Sequence, residues 1–402
     1  MNNKKPEILI ISNYWHFANE KESSRYLSIA NSLVKSGAEV EVVTSSFYHT
    51  KKAQRNVQEI VADYKYTLIR ESGYTKNISV RRILSHKKFQ NGVVNYLKNR
   101  KAPDVIYLFV PPIGLGNEVL KFCKKRNIKL VCDVLDLWPE AFDMVLPHRI
   151  SSILLASMKR KADRLYAKAD GIVTVSEAYL KRINKERTTK TGVSVYIGVE
   201  ADQYYNCQSE VPPITRNKDI VIAYVGTLGK SYDLITLFEA LKKNIDEGID
   251  NKEIVILGDG PEKDAFEAYC RTYHLPVRFL GRIDYKQMVG ILKQCDYSIN
   301  ILNPKSAASI INKHADYVAA GIPTINVQTD KEFNRLLDDY GAGFHCCPGR
   351  PDLLAEILSK LSIDGSEYNN MCTGMKKLSY DKFDRQNTYT DIIDYINRVL
   401  YT

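Results

Sequence analysis

The stretch Ser309–Pro323, S-I-I-N-K-H-A-D-Y-V-A-A-G-I-P, carries the residues whose chemistry is easiest to read. Ile311, Ala315, Val318 and Ala319 recur at helical spacing, Gly321 stands where a helix stops, and Pro323 forbids its continuation. The pattern predicts a helix with Asn312, Lys313 and His314 in its first turn and Asp316 on nearly the same face as Lys313. A helix N-terminus presents free N–H groups and the positive end of its dipole, so a lysine there suits a phosphate. A carboxylate one turn deeper suits the vicinal hydroxyls of a ribose. Together they form a grip for a nucleotide. The same residues also fit a buried α/β helix with a solvated Lys–Asp pair. His314 reads as a solvated or satisfied helix residue rather than a catalytic acid.

A helix of this kind needs a sheet behind it. The run Thr324–Val327 follows almost without a loop, as in a parallel α/β sheet. Near the start, Ile8–Ser12 and Glu39–Thr44 read as strands around a helix, Ser23–Ser36, closed by Gly37. Further apolar runs follow at Val105–Val110, Lys129–Asp136, Gly171–Ser176 and Val193–Val199. Continuous rather than alternating apolar character marks parallel strands buried on both faces. Paired prolines in Gln208–Lys218 suggest a linker, and the cycle then restarts.

In the second half, Ile220–Val225 ends at Gly226 and Glu253–Leu257 at Gly258-Asp259-Gly260; Val277–Leu280 precedes Gly281, and Tyr297–Leu302 leads into the opening segment. The Gly258-Asp259-Gly260 turn alone fits a plain strand-to-helix connection equally well. Asn387–Leu400 is amphipathic, with Ile392, Ile393, Ile396 and Leu400 on one side. The expected architecture is α/β, with two Rossmann-like parallel-sheet domains facing a cleft. Residues 1–207 form the first domain, 208–218 the linker, 219–384 the second domain, and 385–402 a helix returning to the first. Doubly wound sheets bind ligands at the carboxyl ends of their strands.

Composition narrows the classes. With 402 residues, 44% hydrophobic and 26% charged, the chain fits two globular domains. No apolar run approaches the roughly 18–20 residues of a membrane span, and the opening M-N-N-K-K-P-E-I-L-I-I is too short in its apolar part for a signal peptide. Eight scattered cysteines lack C-x-x-C spacing, which argues against a zinc site or a disulfide framework and for a reduced, cytoplasmic protein. Residues 1–210 carry a net +13 and the remainder −3, consistent with the overall +10. The basic first half points to an anionic ligand or surface. No nucleic-acid-binding signature accompanies it, so a nucleic-acid partner is not expected.

The ordered segments Y-V-G-T-L (224–228), I-L-G-D-G-P-E (256–262), V-R-F-L-G-R-I (277–283), Q-M-V-G-I-L-K-Q-C-D (287–296) and N-K-H-A-D-Y-V-A-A-G-I-P-T-I (312–325) resemble the C-terminal half of family-four glycosyltransferases, which have the GT-B fold. More loosely, L-V-K-S-G-A-E-V-E-V-V-T (33–44), A-D-G-I-V-T-V-S (169–176) and Y-I-G-V-E (196–200) are similar to its N-terminal half. D-L-W-P-E (136–140) resembles transferases of surface or capsular polysaccharide assembly.

The resemblance implies transfer of a sugar from a UDP- or GDP-sugar donor, held by the second domain, to a glycan or polyisoprenyl-diphosphate-linked acceptor held by the first. It further implies retention of anomeric configuration, no catalytic metal and no cofactor beyond the donor substrate. Lys313, Lys230 and the N–H groups of Gly226, Thr227, Leu228 and Gly229 are then candidates for the diphosphate. Gly258, Gly260, Ser309 and Asn312 join them as donor-binding candidates. Asp316 matches the family's ribose-binding acid, Leu280, Gly281 and Arg282 match its nucleobase loop, and Asp136 is the acceptor-orienting candidate; its bland reading is a helix cap.

The departures are specific. The family's first acidic residue falls on Ala308, its phosphate arginine on Thr227, its Lys-Gly pair near Tyr232-Asp233, and its first-loop glycine pair near Glu22, Ser23 and Ser24. These losses motivate a rival reading, a donor-incompetent subunit that binds a partner transferase or its acceptor; a sugar-nucleotide epimerase is a third. Two basic stretches, Arg81–Arg100 and Arg149–Lys168, have the composition of helices that lie on anionic lipid or simply pack on their own sheet. The membrane reading would place the protein on the inner face of the cell membrane.

Overall fold

The computed structural model describes residues 5–20, 24–76, 79–140, 148–188, 192–206, 211, 213–306 and 308–401. The chain divides into two compact units, one of residues 1–196 and 388–402, the other of residues 197–387. Glu22, Ser23 and residues 207–210 and 212 of the linker region lie outside the described residues.

The first unit is built on seven parallel strands: β1 (Glu7–Ser12), β2 (Glu39–Ser45), β3 (Lys65–Ile69), β4 (Val105–Val110), β5 (Lys129–Val134), β6 (Gly171–Thr174) and β7 (Val193–Ser194). They lie in the order β3-β2-β1-β4-β5-β6-β7. The reversal beside β1 makes the sheet doubly wound, with loops after β1 and β4 diverging at their carboxyl ends. All six residues of β4 are buried, as continuous apolar runs require. The expected strand Val193–Val199 pairs only at Val193–Ser194; Gly198 adopts φ +59°, and Val199 instead bridges Asp384 within the second unit.

The helix Thr390–Tyr401 packs on the first unit, burying Ile392, Ile393, Ile396 and Val399 in the core beneath Ile8, Ile10 and Val173. Its Tyr395 hydroxyl accepts the Ile172 N–H at 3.1 Å. The buried Arg25–Asp133 pair, 2.9 Å, is completed by the Tyr107 hydroxyl at 2.7 Å, so neither charge is left uncompensated.

The second unit has six parallel strands: β8 (Ile220–Val225), β9 (Lys252–Leu257), β10 (Val277–Gly281), β11 (Tyr297–Ile301), β12 (Thr324–Val327) and β13 (Gly343–Cys346). Their order, β10-β9-β8-β11-β12-β13, again reverses at the first strand of the unit. The carboxyl end of β8 lies at this switch point. Both units are thus parallel-sheet α/β domains.

The two basic stretches differ. In the helix His148–Lys168, Leu155, Ala162, Leu165 and Tyr166 are buried while Lys159, Arg160, Lys161 and Arg164 are exposed; Ile150 and Leu154 have no described side chains. That helix packs on its sheet. In Val80–Lys98, Phe89, Val93 and Leu97 are buried, but Val80, Ile83 and Leu84 remain 72%, 69% and 65% exposed. Among the described residues, no helix is long and apolar enough to cross a membrane.

Candidate functional site

Glycine brings the loops of the second unit together. A Cβ on Gly258 would sit 1.8 Å from the Gly226 carbonyl oxygen, and one on Gly260 would sit 2.2 Å from that of Leu228. Only hydrogen fits at either place. The backbone then ties the loops: Gly226 N–H donates to Leu257 O and Leu228 N–H to Asp259 O, each at 3.0 Å. Gly226 itself has φ +141°, a conformation closed to other residues without strain.

The helix Asn312–Ala320 is held over this loop by Tyr317. Its hydroxyl accepts the Val225 N–H at 2.8 Å and donates to Ile299 O at 3.0 Å, joining the end of β8 to the middle of β11. One turn earlier, Lys313 reaches the glycine: its Nζ would lie 3.0 Å from a Cβ at Gly226. Ile311, at the N-cap, has no side-chain acceptor, so the first turn lacks a side-chain cap.

Lys313 is buried, and its Nζ has no hydrogen-bond partner among the described residues. The ammonium lies 4.0 Å from the ring centroid of Tyr224 and 4.1 Å from that of Tyr232. Burial pulls its pKa well below that of a free lysine. Two phenol faces partly offset that loss, since a ring quadrupole attracts a cation. The solvated Lys–Asp pair is therefore not what forms: desolvation by the tyrosines removes Lys313 from water. Asp316 is half-buried, and its Oδ1 accepts the Tyr285 hydroxyl at 2.9 Å.

The other expected residues divide clearly. Asn312, Lys230, Thr227 and Arg282 are exposed, and Leu228 is buried beneath the loop. Leu280 is skipped where β9 and β10 shift register, Leu257 pairing with Gly281, and stays 38% exposed beside Gly281 at φ +71°. Ser309 precedes the helix and is buried, its hydroxyl 2.8 Å from Asp330 Oδ1 and 2.7 Å from Glu332 Oε2. It is engaged by two carboxylates that the sequence reading did not single out. His314 is fully buried, stacked on Phe333 with ring centroids 3.8 Å apart, and its Nδ1 accepts the Ile311 N–H at 3.3 Å. Burial, then the neighbouring Lys313, lower its pKa to about 3, so it staples the helix start as a neutral ring.

Asp136 belongs to the first unit, just past β5. Its Oδ2 accepts the Trp138 indole N–H at 3.1 Å. Burial raises its pKa, and the hydrogen bonds from Trp138 and the Leu137 backbone act against that rise. The residues that sequence reasoning missed are Tyr224 and Tyr232. Tyr224 stands two positions before Gly226 on β8, so strand alternation sends the two toward one face. That was the available signal.

Residues 209–377 match the family described as glycosyl transferases group 1. A probable glycosyltransferase of Pseudomonas aeruginosa, WbjE, is 22% identical over 276 residues, covering 64% of this chain and 66% of that protein, just under two thirds of its length. The two units have the GT-B fold, and the second is similar to group 1 glycosyl transferases. Solved structures agree in fold. Sucrose-phosphate synthase from Thermosynechococcus elongatus superposes at a TM-score of 0.70 and 13% identity, over 99% of this chain and 100% of that one. Anabaena HepE, solved in complex with UDP, superposes at 0.69 and 16% identity, over 98% and 100%.

Proposed function

We propose that this protein is a glycosyltransferase that moves a sugar from a UDP- or GDP-sugar to a glycan or polyisoprenyl-diphosphate-linked acceptor in surface-polysaccharide synthesis. In this reading the second unit binds the donor and the first the acceptor. The observation that carries it is the Lys313 ammonium, buried against Gly226 with no hydrogen-bond partner among the described residues. A buried unpaired amine is costly, and a diphosphate seated on the Gly226–Gly229 loop compensates it. The same cation then stabilises the charge that develops on the leaving diphosphate, with the first turn of Asn312–Ala320, which lacks an N-cap side-chain acceptor, adding its dipole. Exposed Lys230 supplies a second cation from the loop itself.

Asp316, steadied by Tyr285, takes the ribose hydroxyls, and the stretch Leu280–Arg282, whose Leu280 is skipped by the strand ladder, meets the nucleobase through backbone groups. UDP in HepE supports a uridine donor. Asp136 orients the acceptor hydroxyl. Retention of configuration without a catalytic metal follows the family resemblance. The exposed Val80, Ile83 and Leu84, flanked by exposed Arg81, Lys87 and Lys88, support docking on an anionic membrane face.

A second reading, a donor-incompetent subunit, is favoured by Ala308 and Thr227, which supply neither carboxylate nor guanidinium. A thermal-shift screen of nucleotide sugars separates the two. Stabilisation by a UDP- or GDP-sugar, lost in Lys313→Ala, supports transfer; no stabilisation by any nucleotide supports the subunit.

A further inference from the structure

The first unit holds a cluster that none of the donor chemistry uses. It gathers at the carboxyl end of the sheet from four separate segments. Tyr14 follows β1; His49 and Lys52 sit on the hairpin that pairs Phe47–Tyr48 with Ala53–Gln54 after β2; Tyr74 follows β3; Arg82 and His86 lie on the helix Val80–Lys98. Two hydrogen-bonded sets interlock there. Lys52 Nζ lies 3.0 Å from His49 Nδ1, which is 2.6 Å from the Tyr74 hydroxyl. Arg82 Nη2 donates to the Tyr14 hydroxyl at 2.8 Å, and that oxygen is 3.2 Å from His86 Nε2. The rings cross between the sets, Tyr14 edge-on to His49 at 5.1 Å and Tyr74 edge-on to His86 at 5.6 Å.

Both cations address one ring. Lys52 Nζ is 4.9 Å and Arg82 Cζ 5.5 Å from the Tyr74 centroid. Arg82 also lies 5.7 Å from the ring of Trp138, whose N–H binds Asp136. Tyr14, His49, Lys52, Arg82, His86 and Trp138 are all half-buried, so the cluster reaches the protein surface. Lys52 holds a left-handed backbone, φ 55°, which a lysine adopts only under constraint. Glu71, whose charge reaches Tyr14 and Tyr74, is buried and accepts from Asn13, Ser45 and Ser85.

We propose that this cluster is a phosphoryl subsite of the acceptor half, taking the phosphate or diphosphate of a phosphorylated sugar acceptor on Lys52 and Arg82, with the sugar against Tyr14 and Trp138. The inference rests on the reading of the first unit as the acceptor half. Like charges crowd here: burial, then Lys52 and Arg82, hold His49 near pKa 4, and burial, then Arg82 and His49, hold His86 near 3. Burial and Arg82 also lower the pKa of Lys52. Tyr14 and Tyr74 are pushed upward by burial and remain neutral phenols. An arriving dianion offsets the like charges of Lys52 and Arg82, so it raises the pKa of both imidazoles.

The test follows the histidine ring resonances of the full chain by NMR at pH 6.5, with UDP already at saturation. Three probes are compared: inorganic pyrophosphate, glucose 1-phosphate, and phosphatidylcholine vesicles carrying a polyprenyl diphosphate. The expected result is movement of His49 and His86 toward imidazolium positions while His314 stays fixed. Lys52→Gln and Arg82→Gln should each weaken the response at least tenfold and leave UDP affinity unchanged. A response to either soluble probe assigns the site to the phosphoryl group alone; a response only to the vesicles assigns it to a lipid-linked acceptor. Silence of both histidines with all three probes overturns the inference, as does a response that survives both substitutions. UDP binding with silent histidines defeats this inference alone, whereas a histidine response to pyrophosphate in a chain that binds no nucleotide defeats the donor reading and leaves the anion site standing.

Discussion

The carboxyl ends of the two sheets handle positive charge in opposite ways. In the second unit one ammonium, Lys313, is sealed beneath Tyr224 and Tyr232 against a glycine loop. In the first, Lys52 and Arg82 lie half-buried in a cluster with two imidazoles. A sealed cation in low dielectric interacts strongly with a fixed charge beside it, which suits a group that must stabilise a transition state. Cations that remain wet are screened, recognise an anion by number and geometry, and let it leave. In the proposed reading the contrast puts chemistry at one end and recognition at the other.

The largest expected effect comes from the sealed cation. Lys313→Ala should lower kcat by about 10²–10³-fold, the cost of removing one preorganised electrostatic group. Thermal stability should hold or rise, because an unpaired buried amine is removed; a steady-state assay beside a melting curve checks both. If kcat is unchanged, the contrast fails on its catalytic side.

Acid sharpens the comparison next. His314 is neutral in the fold, with a pKa near 3, and protonates near 6.5 when unfolded. Between those values the unfolded chain binds more protons, so stability is complete above pH 6.5 and is lost as pH falls toward 3. By pH 4 the loss from His314 is about 3 kcal/mol. The half-buried His49 and His86 add less, because water screens them. Denaturant midpoints at pH 7, 5.5 and 4 check this, and replacing His314 with Gln should flatten the slope more than replacing His49.

Gly258→Ala follows. Its methyl would overlap the Gly226 carbonyl, so the loops must part, at a cost of about 2 kcal/mol and with nucleotide affinity reduced more than tenfold. Urea unfolding and UDP titration read the two effects. The smallest change is at the exposed end of Val80–Lys98. Ile83→Glu with Leu84→Glu should weaken binding to anionic vesicles several-fold and leave turnover on a soluble acceptor unchanged, measured by co-sedimentation.

How much of this was legible depended on how local each feature is. The strands ending at Gly226 and Gly258 and the helix around Lys313 announce themselves through apolar runs and glycine stops. The return of Thr390–Tyr401 to the first unit was visible in Ile392, Ile393 and Ile396. The edge strands Lys65–Ile69 and Gly343–Cys346 were not, since their residues are only partly buried and carry no continuous apolar run. The desolvation of Lys313 was also hidden: it needs Tyr224 and Tyr232, about 80–90 positions away in sequence, folded onto it. The Lys52–Arg82 cluster draws on segments after β1, β2 and β3 and on a helix, and no window of sequence contains it.

Calorimetric titration of UDP and GDP into the wild-type chain and Lys313→Ala tests the central claim most directly. Saturable binding of at least one nucleotide by the wild type, weakened at least tenfold by the substitution, is the predicted result. Equal binding by both proteins, or binding of neither nucleotide by the wild type, contradicts it.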